Sequence, residues 1–348
     1  MKKTLILCAA LGLLGLAACN EIERLGDGQV GKLELSFHAN GATKASTDAT
    51  GNETTLDNVQ FFVFASDGSL YRYGSIEKGK TSQTLDNVKV GSYNVAAVAN
   101  AAPLQDIGSR SELEAKAVSL GLNDPAKAFV MYGVTAEPTE VSAEGSGARA
   151  DVTLRRFVSR VRITTVENRI AAAYGALQID DVFLINGCEN WNYAGSGAPS
   201  GYVNYAGRKA GQNTSGSSSD FITSKADAGY PDLTFSHVGK AVANGATETL
   251  DLPFYSFPNQ LSKAEDNFNG PTSGPVCTRL VVKASFGGKS YYYPVTIEKM
   301  ARNSSYDVKF IIQGSGSDDP NKKVDAGGYE VIVRVDPWTD GGDIPGIF

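Results

Sequence analysis

Residues 31–52, GKLELSFHANGATKASTDATGN, place a strongly patterned strand directly before a soft loop. Leu33, Leu35, Phe37 and Ala39 alternate with Lys32, Glu34, Ser36 and His38, the period-two signature of a strand with one buried face. From Gly41 onward, small and hydroxylated residues surround a single lysine, Lys44. That composition disfavours regular structure and leaves the backbone open to cutting.

The same alternation recurs outward from this stretch. In LDNVQFFVFAS, Val59, Phe61 and Val63 share a face, and GSYNVAAVANA adds a short run of buried character. Later come LQIDDVFLI, RLVVKASF, SYYYPVTIEK and SYDVKFIIQG, each bounded by polar turns. Many short strands with turn signals between them predict an all-β protein of the sandwich type. One minor helix is expected over residues 111–120, where SELEAKAVSL offers a Ser111/Glu114 capping box.

Length and composition agree with this reading. A chain of 348 residues is longer than one ordinary domain and predicts two. Its 38 glycines, 15 tyrosines and only 3 methionines suit turn-rich β structure. A net charge of −6, without a basic stripe, argues against a nucleic-acid partner.

The division between halves is expected within DVTLRRFVSRVRI, residues 151–163. Val152, Leu154 and Val158 are even-numbered, whereas Phe157, Val161 and Ile163 are odd. A one-residue change of phase turns every side chain to the other face, so a bulge or a handover between sheets is predicted near Arg155 to Val158. Residues 192–220 are rich in Gly, Ser and Asn and read as a long surface excursion. After Gly314, SGSDDPNKKVDAGG reads as a flexible polar linker. The final strand, GGYEVIVRVDPW, puts Tyr329, Val331, Val333 and Val335 on one face. It carries the same alternation as the opening strand.

The first residues, MKKTLILCAALGLLGLAAC, combine two lysines with an apolar run too short to span a bilayer comfortably. This is the pattern of a secretory signal peptide. Leu16-Ala17-Ala18-Cys19 resembles a bacterial lipobox, which implies cleavage before Cys19 and lipidation of its thiol. Cys188 and Cys277 are then the cysteines left, compatible with a bridge in an oxidising compartment and equally with two buried thiols.

No chemistry-bearing constellation emerges. His38 and His237 sit on unrelated segments without metal-ligand spacing to cysteine or acid. No G-x-S-x-G elbow occurs, and Gly145-Ser146-Gly147 and Gly195-Ser196-Gly197 do not sit at strand-to-helix turns. Asp180 and Asp181 are strand neighbours facing opposite ways, while Asp318 and Asp319 lie in the linker. No catalytic residue, metal site or cofactor is therefore assigned, and the chain reads as a non-enzyme.

Taken in order, these segments resemble the fimbrillins, shaft subunits of the type V fimbriae of Bacteroidales. NVQFFVFASDG resembles the first strand of the mature family fold, and YNVAAVANA with its following helix the next unit. FVMYGVTAEPTEV, LRRFVSRVRI and RNSSYDVKFIIQG are similar to later segments of that fold, so the resemblance spans essentially the whole chain. It implies two tandem transthyretin-like, Greek-key β-sandwich domains and a C-terminal donor-strand appendage. The implied divisions are a signal peptide over 1–18, a lipidated propeptide with a removable strand over 19–44, sandwiches over 45–156 and 157–314, and a linker with donor strand over 315–348.

The resemblance also implies an assembly route. A lipoprotein precursor reaches the outer membrane and a trypsin-like protease cuts behind the first strand. The strand bearing Leu33, Leu35, Phe37 and Ala39 leaves, and Tyr329, Val331, Val333 and Val335 of another copy take its place in an extracellular fimbria. The implied partners are thus further copies of the chain, anchor and accessory or tip subunits, the protease, and the membrane through the precursor's lipid. Lys44-Ala45 is the expected scissile bond, because Arg24 precedes the strand and Lys32 lies inside it. The best-known members carry arginine there, where this chain has lysine.

A sheet that loses a strand exposes unpaired backbone and an apolar groove, a template for any strand with matching alternation. Each buried large apolar side chain lost with it is worth about 1.5 to 3 kcal/mol. Against these expectations stand simpler ones, a permanent N-terminal edge strand and a C-terminal strand folded onto its own domain. Two other functional readings are a fimbrial accessory or tip adhesin, and a glycan-binding surface lipoprotein using Trp191, Tyr193, Tyr202 and Tyr205 as an aromatic platform.

Overall fold

A computed structural model describes residues 28–40, 52–143, 147–211, 220–266, 275–324 and 327–337. The protein is all-β with little helix. The first half carries β1 (Val30–Ala39), β2 (Val59–Ala65), β3 (Leu70–Ile76), β4 (Ser82–Lys89), β5 (Gly91–Ala99), α1 (Arg110–Ala115), β6 (Ala117–Ser119), β7 (Met131–Val134), β8 (Thr139–Val141) and β9 (Ala148–Arg156). The second carries β10 (Ser159–Asn168), β11 (Leu177–Ile185), β12 (Gly187–Asn192), β13 (Ser200–Val203), α2 (Pro231–Thr234), β14 (Phe235–Val242), β15 (Thr247–Ser256), β16 (Arg279–Phe286), β17 (Lys289–Thr296), β18 (Ser304–Ile312) and β19 (Tyr329–Pro337).

In the first half the strands pair in the order β3-β2-β5-β7-β9-β1-β4, with β8 also on β5. The path folds over where only two residue pairs, Met131–Arg156 and Tyr132–Arg155, join β7 to β9. The β1/β4/β9 face thereby packs on the β2/β3/β5 face, with Leu33, Leu35 and Phe37 against Phe61, Val63 and Val95. In the second half, sheet β15-β10-β18-β19 lies on sheet β14-β11-β16-β17 around one apolar core. Each half sets its first strand in parallel beside a late one, β1 with β9 and β10 with β18. A middle strand, β4 or β15, flanks each pair antiparallel.

The change of apolar phase is a handover: β9 ends at Arg156, Phe157 and Val158 are fully buried, and β10 begins at Ser159. The guanidinium of Arg302 stacks 4.2 Å over the Phe157 ring and donates to the carbonyls of Arg155 (2.8 Å) and Arg156 (2.9 Å). Burial lowers its pKa to about 10.

Two expectations are corrected. The helix spans Arg110–Ala115, and its N-cap is Ser109, whose Oγ accepts from the Glu112 amide. The helix stops early because Val118 joins β6, which pairs with β12 from the other half. The excursion over 192–220 is not simply solvated. Tyr193, Val203 and Tyr205 are buried, and β12 and β13 join β6 in a small sheet that ties the two halves together.

Candidate functional site

Strand β1 turns its apolar stripe into the first core. Leu33, Leu35 and Phe37 are at most 1% exposed and Ala39 4%, whereas Lys32, Glu34 and His38 face solvent. On one side β1 pairs in parallel with β9, from Leu33–Ala148 to Ala39–Leu154. On the other it pairs antiparallel with β4, Leu33 opposite Leu85 and Leu35 opposite Gln83. It is thus an interior strand, bonded along both edges, and the expectation of an edge position is corrected. Phe37 stacks on Phe61 with ring centroids 6.5 Å apart. At the start of β1, a Cβ on Gly31 would lie 2.1 Å from the carbonyl oxygen of Ser142, so only glycine fits there without movement.

Cys19, Lys44 and Ala45 lie outside the described residues. The chain next enters view close to a buried ion pair. Glu53 is fully buried and accepts from Arg160 Nη1 (3.1 and 3.3 Å) and Tyr255 Oη (2.8 Å). Arg156 Nη1 donates to the carbonyls of both Asn40 (3.3 Å) and Glu53 (2.8 Å). One guanidinium thus bonds carbonyls on either side of residues 41–51, at the end of the strand region and just beyond Asn52. Burial, with Glu53 as the second cause, pushes the Tyr255 hydroxyl well above its ordinary range. Sequence reasoning missed Glu53. The available signal was a pair of arginines, Arg156 and Arg160, in a segment otherwise patterned for burial, which demands a buried carboxylate somewhere.

The second element is β19. It pairs antiparallel with β18, with Ile312 opposite Tyr329, Phe310 opposite Val331, Val308 opposite Val333 and Tyr306 opposite Val335. Its four apolar residues pack half-buried on the second core. Tyr329 stacks on Phe310, meets Tyr293 edge-on and donates to the Pro294 carbonyl. In this single chain the C-terminal strand therefore rests on its own domain, at the edge of a sheet with one neighbour. It closes the core incompletely. A groove of about 600 Å³ runs between β17 and β19, lined by Val295, Val324, Tyr329, Val331 and Val333 among others.

The segment before β19 is not the free linker its composition predicts. Ser317 and Tyr292 exchange backbone hydrogen bonds of 2.9 Å in both directions. Asn321 Oδ1 accepts from Arg279 Nη1 (2.7 Å) and Asn186 Nδ2 (3.1 Å). Arg279, fully buried, pairs with Asp266 at 2.5 Å; burial works against its charge and Asp266 works for it. The tail is thus rooted on the second domain as far as Val324, which is itself buried.

The remaining candidates resolve differently. Trp191 and Tyr202 pack against the cluster shared by the two halves, and Tyr193 and Tyr205 are buried, so the four rings form no exposed platform for sugars. Cys188 and Cys277 are free and buried, and burial pushes both thiols up to about 12. His237 Nδ1 contacts Asp181 (2.9 Å), which Lys283 also faces at 3.4 Å, on an open surface. His38 Nε2 instead meets Thr153 Oγ1 at 2.9 Å. Asp318 lies near Lys322, and Asp319 accepts from the Asn321 amide. Among the described residues no group of three or more His, Cys, Asp and Glu is placed to hold a metal, and no helix is long and apolar enough to cross a membrane.

Among solved structures, the chain is similar to a candidate cell adhesion protein of Bacteroides eggerthii (TM-score 0.65, 18% identity, covering 91% of this chain and 98% of that one). It is also similar to a fimbrilin of Porphyromonas gingivalis (TM-score 0.60, 14% identity, 90% and 99%). A third likeness is to the tip fimbrial protein Mfa3 of the same organism, with C-terminal truncation (TM-score 0.50, 14% identity, 88% and 100%). Identities this low speak for the fold alone. The search of curated proteins finds no match to the sequence. Residues 24–339, however, match the family described as Fimbrillin-A associated anchor proteins Mfa1 and Mfa2, and the chain therefore belongs to that fimbrial family.

Proposed function

We propose that the protein is the shaft subunit of a cell-surface fimbria that polymerises by strand exchange. The precursor is exported as a lipoprotein on Cys19 and held at the outer membrane. A trypsin-like protease then cuts at Lys44-Ala45. Strand β1 departs, and β19 of a neighbouring copy fills the slot between β9 and β4. The mature subunits build a filament that supports adhesion, with anchor and tip subunits at its ends.

One observation carries this reading: the chain holds two interchangeable stripes in unequal positions. Leu33, Leu35, Phe37 and Ala39 fill an interior slot near the start, and Tyr329, Val331, Val333 and Val335 cover an edge near the end. An edge strand gives up one ladder on leaving, and an interior slot supplies two on arrival, so transfer between copies gains backbone pairing. Glu53, held by Arg160 and Tyr255, secures the chain beyond the cut.

The C-terminal strand also separates this reading from that of a tip subunit, which needs no donor for a further copy. An anchor, by contrast, keeps its lipid and its first strand. The test is deletion of residues 328–348. The truncated subunit is expected to be secreted and folded, though less stable because β18 loses its neighbour, and to remain monomeric after cleavage. Filaments of normal length from it would contradict the proposal.

A further inference from the structure

The slot that β1 occupies accepts a replacement in one register only. We infer that Gly327–Val335 of a second copy enters parallel to β9, with Gly327 at the place of Gly31. Tyr329, Val331, Val333 and Val335 then stand where Leu33, Leu35, Phe37 and Ala39 stood. The inference rests on the strand-exchange reading above and adds to it a direction and a residue-by-residue alignment.

The argument begins with parity. The inward positions of the slot are the odd-numbered residues 33 to 39. A shift by one residue would turn Glu330 and Arg334 into the core and Val331 and Val333 to solvent. Only alignments that keep odd on odd survive, and these differ by steps of two.

Gly31 then selects among them. The 2.1 Å approach to the Ser142 carbonyl oxygen is to backbone, which cannot swing aside as a side chain does. The residue arriving at this place must be glycine. Among residues 325–337 the glycines are Gly327 and Gly328, and only Gly327 has the required parity. Moving the donor two residues towards the start of the slot would put Tyr329 on the Ser142 carbonyl. Moving it two residues the other way would place Asp325 there and leave Gly327 in the cavity of Leu33. Reversing the strand, with its apolar stripe in the slot, sets Pro337 or Val335 at the glycine position. Each fails on the same contact.

The outward face agrees. Along β9, Arg149, Asp151 and Thr153 pair with Glu34, Ser36 and His38. In the inferred register Glu330 replaces Glu34 opposite Arg149, and Ile332 and Arg334 face Asp151 and Thr153. Arg334 is then diagonal to Asp151, an attractive placement. The shift that seats Gly327 at Leu33 would set Glu330 directly opposite Asp151, carboxylate against carboxylate.

Paired cysteines on this solvent face test the register. Subunits carrying Asp151→Cys with Ile332→Cys, and others carrying Arg149→Cys with Glu330→Cys, are cleaved, assembled and oxidised, then run on a denaturing gel without reductant. A covalent ladder is expected from both; a strand reversed with Pro337 at the glycine position would link the first pair alone, and that result would overturn the direction. Asp151→Cys with Arg334→Cys, and Asp151→Cys with Glu330→Cys, report the two slipped alignments and are expected to give none. All five positions are exposed, and the buried native thiols are expected to leave the parent protein unlinked. As a control, Lys309→Cys with Ile332→Cys should close within one uncleaved precursor, where these residues are opposite each other. A ladder through a slipped pair instead would overturn the register and leave strand exchange standing. Filaments that give no ladder through any pair would overturn strand exchange, and the register with it.

Discussion

Glu53 and Arg160 face each other across the junction of the two sandwiches, 3.1 Å apart and both buried. Glu53 lies two residues beyond the segment 41–51 that carries Lys44, and Arg160 belongs to the first strand of the second half. On the proposed maturation, a cut at Lys44-Ala45 is expected to free β1 without loosening the chain from Glu53 onward.

Removing one member of a buried ion pair costs about 3–5 kcal/mol, because the remaining charge is left in a low-dielectric site. Glu53→Ala is expected to lose stability of that order in both the precursor and the cleaved subunit. Urea denaturation of the two forms measures it. A loss below about 1 kcal/mol, the range of an exposed pair, would contradict the anchoring role.

Phe37 gives a prediction whose size depends on maturation. In the precursor it fills the core against Phe61, and Phe37→Ala is expected to cost about 3–5 kcal/mol. On the proposed strand exchange the strand is absent from the filament, where the same substitution is expected to change nothing. Comparing thermal unfolding of variant and parent, before and after cleavage, checks both halves; equal destabilisation of precursor and filament would contradict departure of the strand.

Asn321 roots the tail through Arg279 and Asn186. Asn321→Ala leaves buried donors short of an acceptor, a penalty of about 1–3 kcal/mol. Local opening of residues 329–335 should become easier, and their amide hydrogens should exchange about tenfold faster. Hydrogen exchange read by mass spectrometry tests this; unchanged protection would mean that the root does not govern release.

The thiols of Cys188 and Cys277 supply a pH dependence. Their folded-state pKa values are pushed up to about 12 from an ordinary value of 9.0, by burial first. In the unfolded chain the thiols ionise first, so above that ordinary value the folded state binds more protons. The stabilisation is complete below pH 9 and is lost as pH rises towards 12. Replacing both residues by alanine should flatten this part of the stability profile, and alkylation of the parent should require unfolding.

The strands were legible because period-two alternation is a local property, and both β1 and β19 stand in the sequence as plainly as in the fold. Their placement was not. That β1 is interior and β19 an edge depends on pairing with Ala148–Leu154 and Ser304–Ile312, residues more than a hundred positions away for β1. Composition misled at residues 315–324, where Asn321 and Ser317 are polar for bonding inside the protein rather than for solvation. It misled again at Trp191 and Tyr193, whose loop-like neighbours conceal a surface shared by the two halves. Glu53 went unread because an ion pair is visible only when both partners are brought together.

Strand exchange after a cut at Lys44-Ala45 is the centre of this account, and the amino terminus of the subunit in sheared surface filaments tests it most directly. Sequencing is expected to begin at Ala45. An intact lipidated Cys19 at the start of every copy would contradict it.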